Sequence, residues 1–245
     1  MEMCHVEHND CGGIGIVHGS ASLSNCVVSE NQVLHPFGSA GGIFVGGRSE
    51  LYMVDCVISG NYGARAGGIS ASAGAVLRME NVRVSENSCE ENAGGMSLAA
   101  ASAYCYRCVF SNNAAGEGVG GGICAQASDL TLRECTIAGN YGGGVFPLED
   151  AQVEVKRSVL WGNCGFDCLI EGGSTIALDS CLVDTAKIWS WTPGRITRGD
   201  GMIYDDPRYC LFQGCGRPAD YRLRSDSPAR LPDGLILGAL KDSCP

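Results

Sequence analysis

The stretch that decides the fold is Val57-Ile58-Ser59-Gly60-Asn61, because close relatives of it recur along the chain. It returns as Val27-Val28-Ser29-Glu30-Asn31, Arg83-Val84-Ser85-Glu86-Asn87, Val109-Phe110-Ser111-Asn112-Asn113, Thr136-Ile137-Ala138-Gly139-Asn140 and Val159-Leu160-Trp161-Gly162-Asn163. With Asn9 placed first, the asparagines are spaced by 22, 30, 26, 26, 27 and 23 residues. A fixed local motif at a variable spacing is the mark of a solenoid whose turns differ in length.

Two further motifs share the period. A glycine pair followed by an apolar residue comes after each asparagine, as Gly12-Gly13-Ile14, Gly41-Gly42-Ile43, Gly67-Gly68-Ile69, Gly94-Gly95-Met96, Gly121-Gly122-Ile123 and Gly143-Gly144-Val145. A third segment alternates: Leu51 and Met53, Leu77 and Met79, Ala103 and Cys105, Leu130 and Leu132, Val153 and Val155, Ile176 and Leu178 flank polar or large residues. Period two belongs to half-buried strands, and no segment shows the 3.6 period of a helical repeat.

These motifs predict an all-β, right-handed parallel β-helix of about seven to eight coils over residues 1–183, with residues 184–245 forming an irregular C-terminal cap on the last coil. Each coil holds three short strands, and equivalent residues stack about 4.8 Å apart. Ile14, Ile43, Ile69, Met96, Ile123 and Val145 form one expected interior column, and Val28, Ile58, Val84, Phe110, Ile137 and Leu160 another. The asparagines are expected to bond to one another and to turn backbone as an internal ladder.

Composition narrows the function. The chain of 245 residues carries a net charge of −10 with only three lysines, which excludes a phosphate-binding basic surface and argues against nucleic acid. No run approaches the length of a membrane helix. Met1-Glu2-Met3-Cys4 has neither the basic start nor the apolar core of a signal peptide. Since the repeat already covers these first residues, a mature or truncated piece of a longer protein is expected.

The pairing of Phe110-Ser111-Asn112-Asn113 with Gly121-Gly122-Ile123 resembles the repeats of chlamydial polymorphic outer-membrane proteins, and equally the secreted bacterial β-helix proteins of the pectate-lyase-like superfamily. Asp206-Pro207, Asp220-Tyr221-Arg222-Leu223, Ser227-Pro228-Ala229 and Leu237-Gly238-Ala239 are similar to the closing segment of many such secreted proteins. The resemblance implies an extracellular or surface location. It implies little about activity, because the superfamily holds lyases, glycosidases, adhesins and passive stalks.

Fifteen cysteines is an odd number, so at least one thiol is unpaired within the chain. Cys4, Cys26, Cys56, Cys108, Cys135 and Cys181 fall in one column with Val82 and Ser158, which marks a place for a small buried side chain, here a reduced thiol. Disulfides are expected instead in loops, Cys164 with Cys168 and Cys210 with Cys215; Cys89, Cys124 and Cys244 receive no partner. The run Cys4-His5-Val6-Glu7-His8 has zinc-ligand residue types, but the repeat divides it between two faces, so no metal is expected.

Two places can hold function. The loops between asparagine and glycine pair carry His35, Arg65, Glu91 and Glu117, and stacking brings Arg65, Glu91 and Glu117 near one another. Two carboxylates a coil apart approach the roughly 5 Å of a retaining glycosidase pair, and an arginine beside them suits a lyase. The second place is the outward column Tyr52, Arg78 and Tyr104, whose planar groups suit sugar rings, with Phe44 and Phe146 as another outward pair. Trp189 and Trp191 follow the expected last coil and are assigned to packing of the cap. The leading expectation is a non-catalytic secreted or surface module that binds carbohydrate or protein, with Tyr52, Arg78, Tyr104 and His35 as ligand contacts. The alternative is a polysaccharide lyase or glycosidase using Arg65, Glu91 and Glu117. A third class, assembly end to end or through exposed coil edges, follows from unpaired strands at a solenoid's ends. No cofactor is called for by any of these readings.

Overall fold

A computed structural model describes residues 1–33, 40–116, 120–215, 217, 219–232, 234–240 and 243–244. His35 and Glu117 lie outside the described residues. The chain forms three parallel sheets of eight strands each, one strand per coil. The first sheet runs from His5–Glu7 to Leu182–Val183, the second from Ile14–Val17 to Ile188–Ser190, and the third from Ser20–Ser24 to Arg195–Arg198. This is the expected parallel β-helix, and its register follows the sequence motifs: Val28 pairs with Ile58, Val84 with Phe110, Leu77 with Leu51 and Ala103. Stacking places Val28, Ile58, Val84, Phe110, Ile137 and Leu160 in one fully buried column. Ile43, Ile69, Met96, Ile123 and Val145 fill another, and both belong to one continuous core.

The asparagine ladder is complete. Asn31 Nδ2 donates to Asn61 Oδ1 at 3.0 Å, Asn61 to Asn87 at 2.9 Å, Asn87 to Asn113 at 3.0 Å and Asn113 to Asn140 at 3.0 Å. Each amide also donates to a carbonyl of the coil before, as Asn113 Nδ2 does to Val84 O at 2.9 Å. Its oxygen accepts from the backbone N–H of the preceding asparagine. The residue before each asparagine turns through positive φ: His8, Glu30, Glu86 and Asn112 as well as Gly60, Gly139 and Gly162. The glycine pair is required by closeness. A Cβ on Gly68 would sit 2.6 Å from Gly95 O and 3.1 Å from Asn87 Nδ2.

Cysteines explain the other tight corner. Asn25, Asp55, Arg107, Glu134 and Ser180 all take positive φ, and the cysteine after each folds back beneath the turn. Cys26 Sγ donates to Ser24 O at 3.2 Å and Cys56 to Val54 O at 3.2 Å, while Ser158 Oγ makes the same bond to Lys156 O at 2.8 Å. The position takes a small buried side chain, which closes the turn by a hydrogen bond where it is cysteine or serine and fills the space without one at Val82. Burial pushes the thiols of Cys56, Cys108 and Cys135 up, and that of Cys181 to about 11, which keeps these four protonated.

Three expectations about the C-terminal part need correction. Parallel pairing continues past residue 183: Ile188–Ser190 pairs with Cys168–Ile170, and Arg195–Arg198 with Thr175–Asp179. Trp189 thus stands on the eighth rung, and both Trp189 and Trp191 are exposed, not packed into a cap. The glycine-pair motif is missing there, so only the first strand of the eighth coil, after Cys181, is announced in the sequence. Next, the described residues beyond 203 pack along the outer side of the first sheet instead of closing the end. Ala138, Val159 and Leu182 of that sheet pack under Tyr209, Tyr221, Leu223, Ala229 and Leu237. Tyr221 Oη donates to Asn112 Oδ1 at 2.6 Å, and Ala239 N to Thr136 Oγ1 at 3.0 Å. Last, the loop cysteines pair as Cys164–Cys215 and Cys210–Cys244. Cys168 is buried in the core and unpaired, because alternation turns it inward on its strand. Both bridges fasten the returning strap, one to a coil loop and one to itself.

Candidate functional site

Alternation on the third sheet sends Leu51, Met53, Leu77, Met79, Ala103 and Cys105 into the core, so the residues between them face outward. Tyr52, Arg78 and Tyr104 are direct register neighbours on three successive strands. Tyr52 is 44% exposed and Tyr104 39%. At the inter-strand spacing the Cα atoms of the two tyrosines stand about 10 Å apart, with Arg78 on the strand between. The column runs on through Ser22 at one side and Thr131 and Glu154 at the other. Shallow grooves flank it along the same face. One of about 240 Å³ is lined by Ser20, Ser22, Glu50, Tyr52 and Arg78, and one of about 270 Å³ by Asp129, Thr131, Gln152, Glu154 and Thr175. Aromatic faces, a cation and hydroxyls are thus distributed along the solenoid axis over six coils. Such a surface can stack rings and bond their hydroxyls.

The loop side brings Arg65 and Glu91 together as the stacking implied. Glu91 N donates to Ala64 O at 2.9 Å, which ties one loop to the next. Arg65 Nε then lies 3.8 Å from Glu91 Oε2, both side chains more than half exposed at 58% and 56%. An exposed pair at that distance contributes little to stability. Glu90 is engaged elsewhere: it accepts from Tyr62 Oη at 2.6 Å, a bond that raises the tyrosine above its ordinary value. A groove of about 340 Å³ opens beside Arg65 and Glu91, and its floor is the outer face of the second sheet, with Ser70, Ser72, Ser97, Ala99 and Phe44. Those serines follow the Gly-Gly-Ile and Gly-Gly-Met motifs by one or three residues, so the phase of alternation alone marks them as outward. Sequence reasoning had weighed only charged and aromatic residues and passed over them.

Phe44 and Phe146 do not form an exposed pair. Phe44 is half-buried in the groove wall, whereas Phe146 is buried with Cys124, Phe166 and Leu169 beneath the loop that carries Phe166. The outer face of a strand is open only where no loop folds over it.

A buried acid escaped notice altogether. Asp167 closes the asparagine ladder: its Oδ1 accepts from Asn163 N at 3.1 Å and from Asn163 Nδ2 at 2.7 Å, while its Oδ2 is buried without a hydrogen-bond partner. Burial pushes this carboxyl up to about 6, with the Asn163 bonds and the nearby Lys187 ammonium pulling the other way. Only four residues separate Asp167 from Asn163, so a search at coil spacing misses it. At the other end, His5, Glu7 and His8 face solvent while Cys4 packs against the core. His8 Nε2 sits 2.7 Å from Glu30 Oε2. Among the described residues no group of three or more His, Cys, Asp and Glu side chains gathers at one point, and no helix is long and apolar enough to cross a membrane.

Comparison with curated proteins and comparison with solved structures each found no match. A family described as the right handed beta helix region matches residues 67–199, more than half of the chain. The chain belongs to the right-handed β-helix family.

Proposed function

We propose that this chain is a non-catalytic β-helix module of a secreted or surface protein, and that it binds an extended polysaccharide along the outer face of its third sheet. The observation that carries the reading is the in-register column Tyr52, Arg78 and Tyr104, exposed and flanked by hydroxyl-lined grooves on the same face. Tyrosine offers an apolar ring face at small cost in conformational entropy, and arginine adds planar hydrogen bonding, so successive rings of a chain-like ligand find equivalent contacts. The two disulfides of the C-terminal strap support an oxidising, extracytoplasmic setting. On this reading Cys26, Cys56, Cys108, Cys135 and Cys181 are structural, each a buried donor that closes a turn.

The enzymatic alternative rests on Arg65, Glu91 and Glu117. General acid catalysis calls for a carboxyl shielded from water, and Glu91 is more than half exposed and faces a guanidinium. A panel of plant, fungal and bacterial polysaccharides, run as affinity electrophoresis beside an assay for released reducing ends, separates the readings. Retardation by at least one polymer without product release, lost in the Tyr52→Ala/Tyr104→Ala double variant, supports binding. Product release that disappears in Glu91→Gln supports the enzyme and removes the proposal.

A further inference from the structure

The groove on the second sheet is a separate site from the tyrosine column, and we infer that it takes a single neutral pyranose unit. Its floor carries the hydroxyls of Ser70 and Ser97, neighbours in register on adjacent strands, with Ser72 two residues along from Ser70. Ser70 and Ser97 are recessed, yet none of the three hydroxyls makes a hydrogen bond to another described residue. Both are open to the groove, since neither is a buried atom lacking a partner. Recessed hydroxyls that can both donate and accept, aligned at strand spacing, match vicinal hydroxyls of a sugar ring.

One wall is aromatic. Phe44 is the register neighbour of Ser70, and its ring folds across Gly46, where an added Cβ would come within 2.7 Å of it. Glycine therefore permits the ring to lie along the sheet, presenting an apolar face to the groove. The rim is polar: Arg65, Glu91 and Asn92. The backbone N–H of Asn92 donates to Arg65 O at 3.3 Å, whereas the terminal guanidinium nitrogens of Arg65 and the side-chain amide of Asn92 hold no hydrogen bond to another described residue and remain available. Arg65 and Glu91 oppose each other's charge, which leaves the groove without a net charge for an ionic ligand to meet. An apolar face, free hydroxyl and amide partners and balanced charge together select an uncharged, hydroxylated ring. The volume of about 340 Å³ is at the lower end for small-molecule sites, which suits one ring better than a chain.

Protein-observed NMR with methyl glycosides of glucose, galactose and mannose tests the inference, with galacturonate and glucosamine as charged comparisons and phenylalanine and tyrosine ring signals as reporters. At least one methyl glycoside is expected to shift the Phe44 ring with millimolar affinity. Ser70→Ala and Ser97→Ala each weaken that binding about five-fold, the equivalent of one neutral hydrogen bond, and leave the circular dichroism spectrum unchanged because neither hydroxyl supports the fold. Gly46→Ala displaces the ring and abolishes the shift. If Phe44 responds only to the charged sugars, or to none, the inference is overturned. A response confined to Tyr52 and Tyr104 also overturns it while leaving the polysaccharide proposal standing.

Discussion

Replacing Asn113 by leucine removes a rung from the middle of the ladder. Asn113 Oδ1 accepts from Asn87 N at 3.1 Å and from Asn87 Nδ2 at 3.0 Å; its own Nδ2 donates to Val84 O at 2.9 Å and to Asn140 Oδ1 at 3.0 Å. Asn140 Oδ1 keeps the backbone N–H of residue 113 and Asn87 Nδ2 keeps Ile58 O, so Asn87 N is left without a partner while Asn87 Nδ2 and Val84 O each lose one bond, in a site that excludes water. With about 1–3 kcal/mol for the orphaned N–H, about 1 kcal/mol for each of the two other lost bonds, and about 1–2 kcal/mol returned by leucine's apolar burial, the loss is about 1–4 kcal/mol. The upper end is a large part of the ~5–15 kcal/mol that holds a typical domain together. Asn9→Leu is the internal control. Asn9 is exposed, its Nδ2 donates to Glu7 O and Asn31 Oδ1, and its own oxygen anchors no earlier rung, so a cost below about 1 kcal/mol follows. Urea unfolding followed by far-ultraviolet circular dichroism measures both. Equal midpoints for the two variants would refute the idea that a rung's worth lies in the neighbours it satisfies.

Asp167 gives a pH signature. Its folded value of about 6 stands above the ordinary 3.8, so the folded state binds the proton more tightly; the contribution is full below about pH 4 and lost as pH rises through 6, roughly 3 kcal/mol in all. Asp167→Asn should flatten that slope and raise the thermal midpoint at pH 7; an unchanged slope contradicts it. Of the eleven free cysteines only Cys11 is exposed and Cys4 half-buried, so Ellman titration of the native protein should show one or two fast thiols, and nine more only after denaturation. Tyr221→Phe loses the 2.6 Å bond to Asn112 and should cost about 1 kcal/mol and hasten proteolysis of the strap before that of the coils. Reduction with dithiothreitol should free the strap to limited proteolysis while the β-sheet circular dichroism signal persists, because neither bridge joins two coils.

Much of the fold was legible because a solenoid writes its geometry into the sequence as a period. Asn61, Asn87 and Asn113 announce the ladder, and Leu77 with Met79 announces a strand, since identical environments recur at each coil. Legibility stopped where recurrence stopped. The strap's path depends on single fits: Tyr221 against Gly139 and Phe212 against Gly162, at turns where a Cβ would collide with each ring. The disulfides link residues 51 and 34 positions apart, and proximity in sequence pointed instead to Cys168, which alternation had already turned inward. The outward placement of Tyr52, Arg78 and Tyr104 was legible from phase, and the proximity of Arg65 and Glu91 from stacking. Ser70 and Ser97 obey the same phase but carry no charge or ring, and nothing in residue type alone separates a ligand-facing serine from any surface serine.

The central claim is that one outward column, repeated at strand spacing, reads a ligand laid along the solenoid. Calorimetric affinity for oligosaccharides of increasing length, prepared from whichever polymer binds, tests it most directly. Affinity should climb with each added sugar until the ligand spans Tyr52 to Tyr104 and then level off, with the climb abolished by Tyr104→Ala. A monosaccharide that binds as tightly as the longest oligomer would contradict it.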